Sequence, residues 1–198
     1  LNCDSIARAY RWLEYLSFGR ELERRRFRYL PDVACARRAL VLGDGDGRFT
    51  ARLVQQGTEI DYIDVSRRML ALARERAGTA NVTYRHGDAL TLPLVSSEYD
   101  LIASHFFFDC FEEREARLLT ERVAQAARPD AKWLVSEFRE PRWARLLVRG
   151  LYLFFRATTG LKTRRLIDHR PLLDERGFHL EQEETSMFGL LASELWTR

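Results

Sequence analysis

The sequence predicts an α/β fold: a seven-stranded, mostly parallel, doubly wound sheet with an antiparallel C-terminal strand pair and an N-terminal helical cap. Three observations predict it. From Ala39 to Phe138, short apolar segments alternate with helix-like ones, which implies parallel strands covered on both faces. The last two strand-like segments have no helix between them, so they pair antiparallel at the sheet's edge. Ahead of the alternation, Ile6 to Leu30 reads as one or two amphipathic helices, with Gly19 as a break. The chain therefore divides into a cap, 1–35, and a sheet domain, 36–198, which carries a helical insertion over 141–168.

Each element has a local reason. Ala39–Leu42 is a short buried strand stopped by glycine, and Arg48–Gln56 a helix with Phe49, Leu53 and Val54 on one face and Gly57 as its stop. Ile60–Val65 is the second strand. Ser66 caps the next helix, where Met69, Leu72 and Ala73 share a face. Val82–Arg85 and Tyr99–Ala103 are the third and fourth strands. Glu112–Arg128 is a helix with acids at its start, a stripe of Ala116, Leu119, Val123 and Ala127, and Pro129 forbidding continuation. Lys132–Phe138 is the fifth strand; Phe178–Gln182 and Leu190–Trp196 are the late pair.

Composition narrows the class. The 198 residues are long enough for a real core, and 46 % hydrophobic with 31 % charged residues describes a globular chain. Net charge is only +3, which gives no argument for a nucleic-acid partner. Cys3, Cys35 and Cys110, like His86, His105, His169 and His179, are scattered. That spacing suits neither a disulfide framework nor a zinc site, and a reducing cytoplasm is the expected setting. No signal peptide is visible. The apolar run Leu151–Phe155, extended by Leu146–Val148, is interrupted by Arg149, ended by Arg156 and falls short of the ~20 residues a membrane span needs.

The chemistry gathers at three loops. Gly43-Asp44-Gly45-Asp46-Gly47 follows a buried strand and opens a helix, so its backbone can take positive φ, approach a ligand closely and offer free N–H groups. Such a loop suits a nucleoside cofactor at the carboxyl ends of parallel strands; a glycine-rich surface turn is the alternative. Asp64 ends the second strand about twenty residues later, where a carboxylate can accept both hydroxyls of a ribose. The alternative is an N-cap. Asp88, after the third strand, is placed to accept from an adenine amino group or to make an ordinary turn.

In this order the motifs resemble those of the class I S-adenosylmethionine-dependent methyltransferases. Leu40–Gly47 resembles the family's first motif, Tyr62–Ser66 its second, Gly87–Ala89 its adenine contact, Tyr99–Ile102 its fourth strand, and Ala127–Val135 its turn into the fifth. The resemblance spans roughly Ala39 to Phe138. It implies a Rossmann-like fold, S-adenosyl-L-methionine as cofactor, no metal, and a binding set of Gly43, Asp44, Gly45, Asp46, Gly47, Asp64, Val65, Met69, Asp88, Ala89 and Ser104. One position departs. The family often has an acid two places before the first glycine, and Val41 stands there. Asp44 or Asp46 is the expected compensation.

Methyl transfer from a sulfonium is an in-line displacement that depends on positioning and desolvation, with a base needed only where the acceptor loses a proton. Ser104–Phe111 lies where this family holds the methyl group. His105 is the candidate base and Asp109 its orienter or substitute, although a packed structural histidine is an equal reading. Aromatic residues in the N-terminal helix and in the insertion suggest a lid over an apolar or lipid-like small-molecule acceptor. Ala9–Trp12 and Leu16–Arg20 resemble the quinone and phospholipid methyltransferase branch. The arginines at 24–26 and 28, and the run Lys162–Arg165, read as solvated faces, or as contacts to anionic lipid headgroups at a membrane surface or to an acidic substrate. The aromatics are otherwise core or a homodimer contact. Two other functions remain open on sequence: a nicotinamide-dependent oxidoreductase, against which Arg48 stands where the dinucleotide pattern wants glycine, and a cofactor-binding module without catalysis.

Overall fold

The computed structural model describes residues 20–140 and 166–198. The expected helix before Gly19 and most of the expected insertion lie outside these residues. Seven strands form one sheet: β1 (Arg38–Leu42), β2 (Glu59–Asp64), β3 (Val82–His86), β4 (Tyr99–His105), β5 (Ala127–Phe138), β6 (His179–Ser186) and β7 (Leu191–Thr197), in the order β3-β2-β1-β4-β5-β7-β6. The first five are mutually parallel, and β7 runs antiparallel to both β5 and β6. The predicted fold class therefore holds, with the late pair at the sheet's edge.

The helices are α1 (Glu21–Phe27), α2 (Arg48–Gln55), α3 (Arg67–Ala77), α4 (Glu113–Ala126) and α5 (Arg170–Asp174). Ser66 caps α3 as expected, its hydroxyl accepting the Met69 amide at 3.1 Å; such a cap contributes about 1 kcal/mol. Glu115 reaches back to accept the Glu112 amide at 2.9 Å and sets the start of α4. The far end of α4 differs from the sequence reading. Helix stops at Ala126 and strand begins at once, because Pro129 disfavours helical backbone at Arg128 and drives the chain into extended form. Ala127 then pairs with Tyr99 across a register shift. The short helix α5, opened by Pro171, was not expected.

Alternate residues of β1 face opposite cores. Leu40 and Leu42 join Ile63, Ile102, Trp133, Trp196 and the inner faces of α4 and α5. Ala39 and Val41 join Phe49, Leu53, Tyr62 and Ala73 under α2 and α3. Val41 is thus a core residue among aromatic and aliphatic side chains, where an unpaired carboxylate would be costly. α1 lies across the carboxyl ends of the sheet. The Arg25 carbonyl accepts from the hydroxyls of Ser136 (3.0 Å) and Ser193 (2.8 Å), and the Arg25 guanidinium reaches Glu184 at 2.5 Å. These partners stand in one register row, His105–Ser136–Ser193–Glu184, across four strands.

Candidate cofactor and acceptor site

The glycine loop takes the backbone form that its sequence requires, with φ of +60°, +63° and +78° at Gly43, Gly45 and Gly47. Each glycine serves a different neighbour. A Cβ on Gly47 would lie 2.7 Å from Ala73, so this position permits α2 and α3 to close on each other. A Cβ on Gly43 would stand 2.5 Å from the Phe107 ring. Gly45 faces open space and leaves room for a ligand. A residue the sequence reading passed over, Tyr62, ties this loop to the next: its hydroxyl donates to the Gly45 carbonyl at 2.7 Å and lies 3.2 Å from Asp64 Oδ2. Burial raises the Tyr62 pKa and keeps that donor protonated.

Asp64 is half-buried at the end of β2, and burial lifts its carboxyl above the ordinary aspartate value. Its Oδ1 accepts the Ser66 amide at 2.8 Å, which leaves lone pairs on both oxygens for a diol. The Gly87 amide donates to the Asp64 carbonyl at 3.0 Å, and so the Asp88 turn lies beside β2. Asp88 is exposed and accepts the Leu90 amide at 2.8 Å, with Ala89 buried behind it. Val65 is exposed and Met69 buried at the start of α3. All three predicted loops come together at the carboxyl ends of β1, β2 and β3.

The two loop aspartates are held differently. Asp46 is held by Arg48 (3.1 Å) and Arg76 (2.8 Å) on α2 and α3. Asp44 is buried; its Oδ2 accepts both the amide and the hydroxyl of Thr50 at 2.8 and 2.9 Å, while its Oδ1 is buried without a hydrogen-bond partner. Arg26 of α1, only 7 % exposed, places its Nε 3.7 Å from that oxygen. Burial pushes the Asp44 carboxyl up and Arg26 pulls against it. The basic run is therefore not one solvated face. Arg24 is exposed and pairs with Glu21, Arg25 and Arg28 bind Glu184, and Arg26 turns inward to the glycine loop. The available signal is the acid inside the glycine loop, which needs a cation once buried.

Beyond β4 the predicted residues separate. Ser104 is fully buried and its hydroxyl accepts Trp133 Nε1 at 2.8 Å. His105 is 3 % exposed; Nδ1 lies 3.0 Å from Ser136 Oγ, Phe49 packs edge-on at 4.6 Å, and Nε2 is buried without a hydrogen-bond partner. Burial, then the nearby Arg26 charge, push its pKa well down, so the ring is neutral. Asp109 stands partly exposed in the 3-10 turn Phe108–Cys110, and burial raises its carboxyl to about 6. Glu137, which the sequence reading did not single out, accepts the amides of Phe107 and Phe108, each at 2.7 Å. A carboxylate inside the otherwise buried strand Trp133–Phe138 was the available signal. At the opposite end of the sheet a polar groove of about 650 Å³ is lined by Arg37, Arg38, Glu59, Glu98 and Arg128, and holds none of these residues.

The comparisons with known proteins agree with this geometry. The methyltransferase domain family matches residues 39–130. Over 149 residues the chain is 30 % identical to the ubiquinone/menaquinone biosynthesis C-methyltransferase UbiE of Shewanella sp. (strain ANA-3), covering 70 % of this chain and 57 % of that protein. Over 108 residues it is 32 % identical to the biotin biosynthesis bifunctional protein BioHC of Cellvibrio japonicus, covering 54 % of this chain and 21 % of that one. It therefore spans little more than half the length of one of these relatives and about a fifth of the other. Among solved structures, an S-adenosylmethionine-dependent methyltransferase from Mesorhizobium loti superposes with a TM-score of 0.65 at 22 % identity, over 82 % of this chain and 91 % of that one. The motif order, the sheet topology and the methyltransferase-domain match over residues 39–130 agree, and the chain is similar to the class I S-adenosylmethionine-dependent methyltransferases and shares their fold.

Proposed function

We propose that the chain transfers the methyl group of S-adenosylmethionine to a small apolar acceptor at the carboxyl end of the sheet. The observation that carries the acceptor class is an apolar wall beside the glycine loop. Leu22, Leu190 and Leu191 are buried together, with Phe106, Phe138, Leu166 and Met187 packed partly exposed against them. Phe106 adjoins Phe107, whose ring rests on Gly43, so the wall begins where the cofactor loop ends. The tip of the β6–β7 turn adds Phe188, 92 % exposed. A lipid-soluble acceptor reaching this face from a membrane surface fits such a wall, and the likeness to a quinone-pathway C-methyltransferase supports the same class. Among the described residues no helix is long and apolar enough to cross a membrane.

In this reading Gly43, Asp44, Gly45, Asp46 and Gly47 cradle the cofactor's amino-acid end, with Val65, Met69 and Ala89 around the adenosine, while Ser104 lies beneath the site against Trp133. Asp64 accepts the ribose hydroxyls and Asp88 the adenine amine. Arg26 faces the cofactor carboxylate, and Asp44 balances the ammonium in place of the acid that Val41 lacks. When bound, S-adenosylmethionine supplies a methyl group on a positive sulfur. The chain's work is to orient it, exclude water and hold a proton where an acceptor must lose one. Asp109 suits the proton better than His105, because the residue is partly exposed and burial of its carboxyl raises it to about 6, whereas His105 is sealed under α1 and Phe49.

Thermal unfolding with S-adenosylmethionine, S-adenosylhomocysteine or NAD(H) in excess tests the cofactor. A ligand at a hundred times its dissociation constant adds about 2.7 kcal/mol. Stabilisation by the two adenosyl ligands is expected, and stabilisation by NAD(H) alone would sink the reading. Transfer of labelled methyl to a panel of hydroquinones and water-soluble amines then tests the acceptor class. Turnover confined to the amines would reject an apolar acceptor. With a working hydroquinone, Asp109→Asn is expected to remove the acid limb of the rate profile near pH 6.

A further inference from the structure

The backbone leaving β4 takes an unfavourable course. Phe106 has a φ of +54°, a left-handed conformation held without glycine. Three consecutive amides are fixed to β5 there. The Phe106 amide donates to the Ser136 carbonyl at 2.7 Å, and those of Phe107 and Phe108 converge on a single oxygen, Oε1 of Glu137, at 2.7 Å each. Glu137 is 3 % exposed, and its Oε2 has no hydrogen-bond partner. The Ser136 carbonyl takes the first of these amides, and the next two are met by one carboxyl oxygen, whose two lone pairs can accept both. The turn set in this way lays the Phe107 ring on Gly43 and against Phe111, whose centroid is 5.0 Å away. It also starts the 3-10 turn that carries Asp109.

We propose that Glu137 is a positioning residue of the methyl-transfer cleft, holding the strained turn after β4 so that Phe107 closes on Gly43 and Asp109 stands at the cleft's edge. The assignment rests on the reading of this end of the sheet as the cofactor site. The groups facing Glu137 are Asp109 and Cys110 from the 3-10 turn and Glu194 from β7, and His169 stacks on Phe108 at 5.1 Å. Burial first, then the Asp109 charge, raise the Glu137 carboxyl well above its ordinary value, which favours the neutral form. Glutamine reproduces that state: a neutral group of the same shape with an oxygen for both amides. Leucine leaves two N–H groups without an acceptor.

The test is calorimetric titration of the full chain with S-adenosylmethionine and S-adenosylhomocysteine, using wild type, Glu137→Gln, Glu137→Leu, Phe107→Ala and the Leu/Ala double variant, with circular dichroism reporting the fold. Glu137→Leu is expected to weaken both ligands about tenfold, and Glu137→Gln to stay within about threefold of wild type. Phe107→Ala should weaken binding by a similar factor, and the double variant should be no worse than Glu137→Leu. A folded Glu137→Leu that binds as wild type overturns the assignment, as does a Glu137→Gln as weak as the leucine variant. If Glu137→Leu does not fold, Phe107→Ala decides: unchanged affinity rejects the role. A wild-type chain that binds neither ligand removes the cofactor reading itself and this assignment with it.

Discussion

Glu137 on β5 and Glu194 on β7 lie two register steps apart at the same end of the sheet, equally buried and oppositely treated. Glu194, 1 % exposed, receives four donors. Its Oε1 accepts from Arg139 (2.6 Å) and Arg170 (3.1 Å), and its Oε2 from His169 Nε2 (2.7 Å) and Trp196 Nε1 (2.9 Å). Burial pushes its pKa up, but His169, Trp196 and Arg170 outweigh that push and hold it below the ordinary value. Glu137 receives two neutral amides on one oxygen and faces another acid, and its pKa rises. Burial is common to both, so the charge on the neighbours decides which carboxyl stays ionised. The first glutamate locks a structure. The second holds a bend.

The widest separation between the two is expected on truncation. Glu194→Leu leaves His169 and the indole N–H without their acceptor and Arg139 and Arg170 with Glu183 alone, and should cost about 3 kcal/mol by chemical denaturation; a loss below 1 kcal/mol would falsify the lock. A smaller and opposite signature belongs to pH. Glu137 has a raised folded pKa, so the stability it contributes is full in acid and declines as pH rises above the ordinary 4.5, where the unfolded chain releases a proton that the folded chain retains. Glu194 is depressed, and its contribution is lost only as pH falls below 4.5 through its folded value. Melting curves from pH 4 to 8 should therefore show a shallower decline above pH 5 for Glu137→Gln than for wild type. Equal slopes would remove the protonated glutamate. The least effect is expected at Asp46, whose ion pairs with Arg48 and Arg76 are partly solvated. Asp46→Ala should change stability by less than about 1 kcal/mol, checked by the same melts.

The glycine loop, Asp64, the Ser66 cap and the late antiparallel pair were legible because each is local: a period, a turn residue or a cap within a few positions. The α4–β5 junction was half legible. Pro129 does end the helix, but its effect reaches back to Ala127, so the strand begins five residues earlier than the apolar pattern suggests. What stayed hidden depends on partners far apart in the chain. Arg26 meets Asp44, Glu137 meets Phe107, and Glu194 meets His169, and no periodicity encodes such pairs. The same limit explains the glycines. The pattern Gly43-x-Gly45-x-Gly47 is visible in sequence, but only the fold assigns one to an aromatic ring, one to open space and one to helix packing.

Glu194 grips both Arg139 and Arg170 with one carboxylate oxygen. One atom thus joins the end of β5 to the start of α5. A change at position 194 reaches both elements at once, so the last turn of the fold and the edge of the sheet are bound to lose order together.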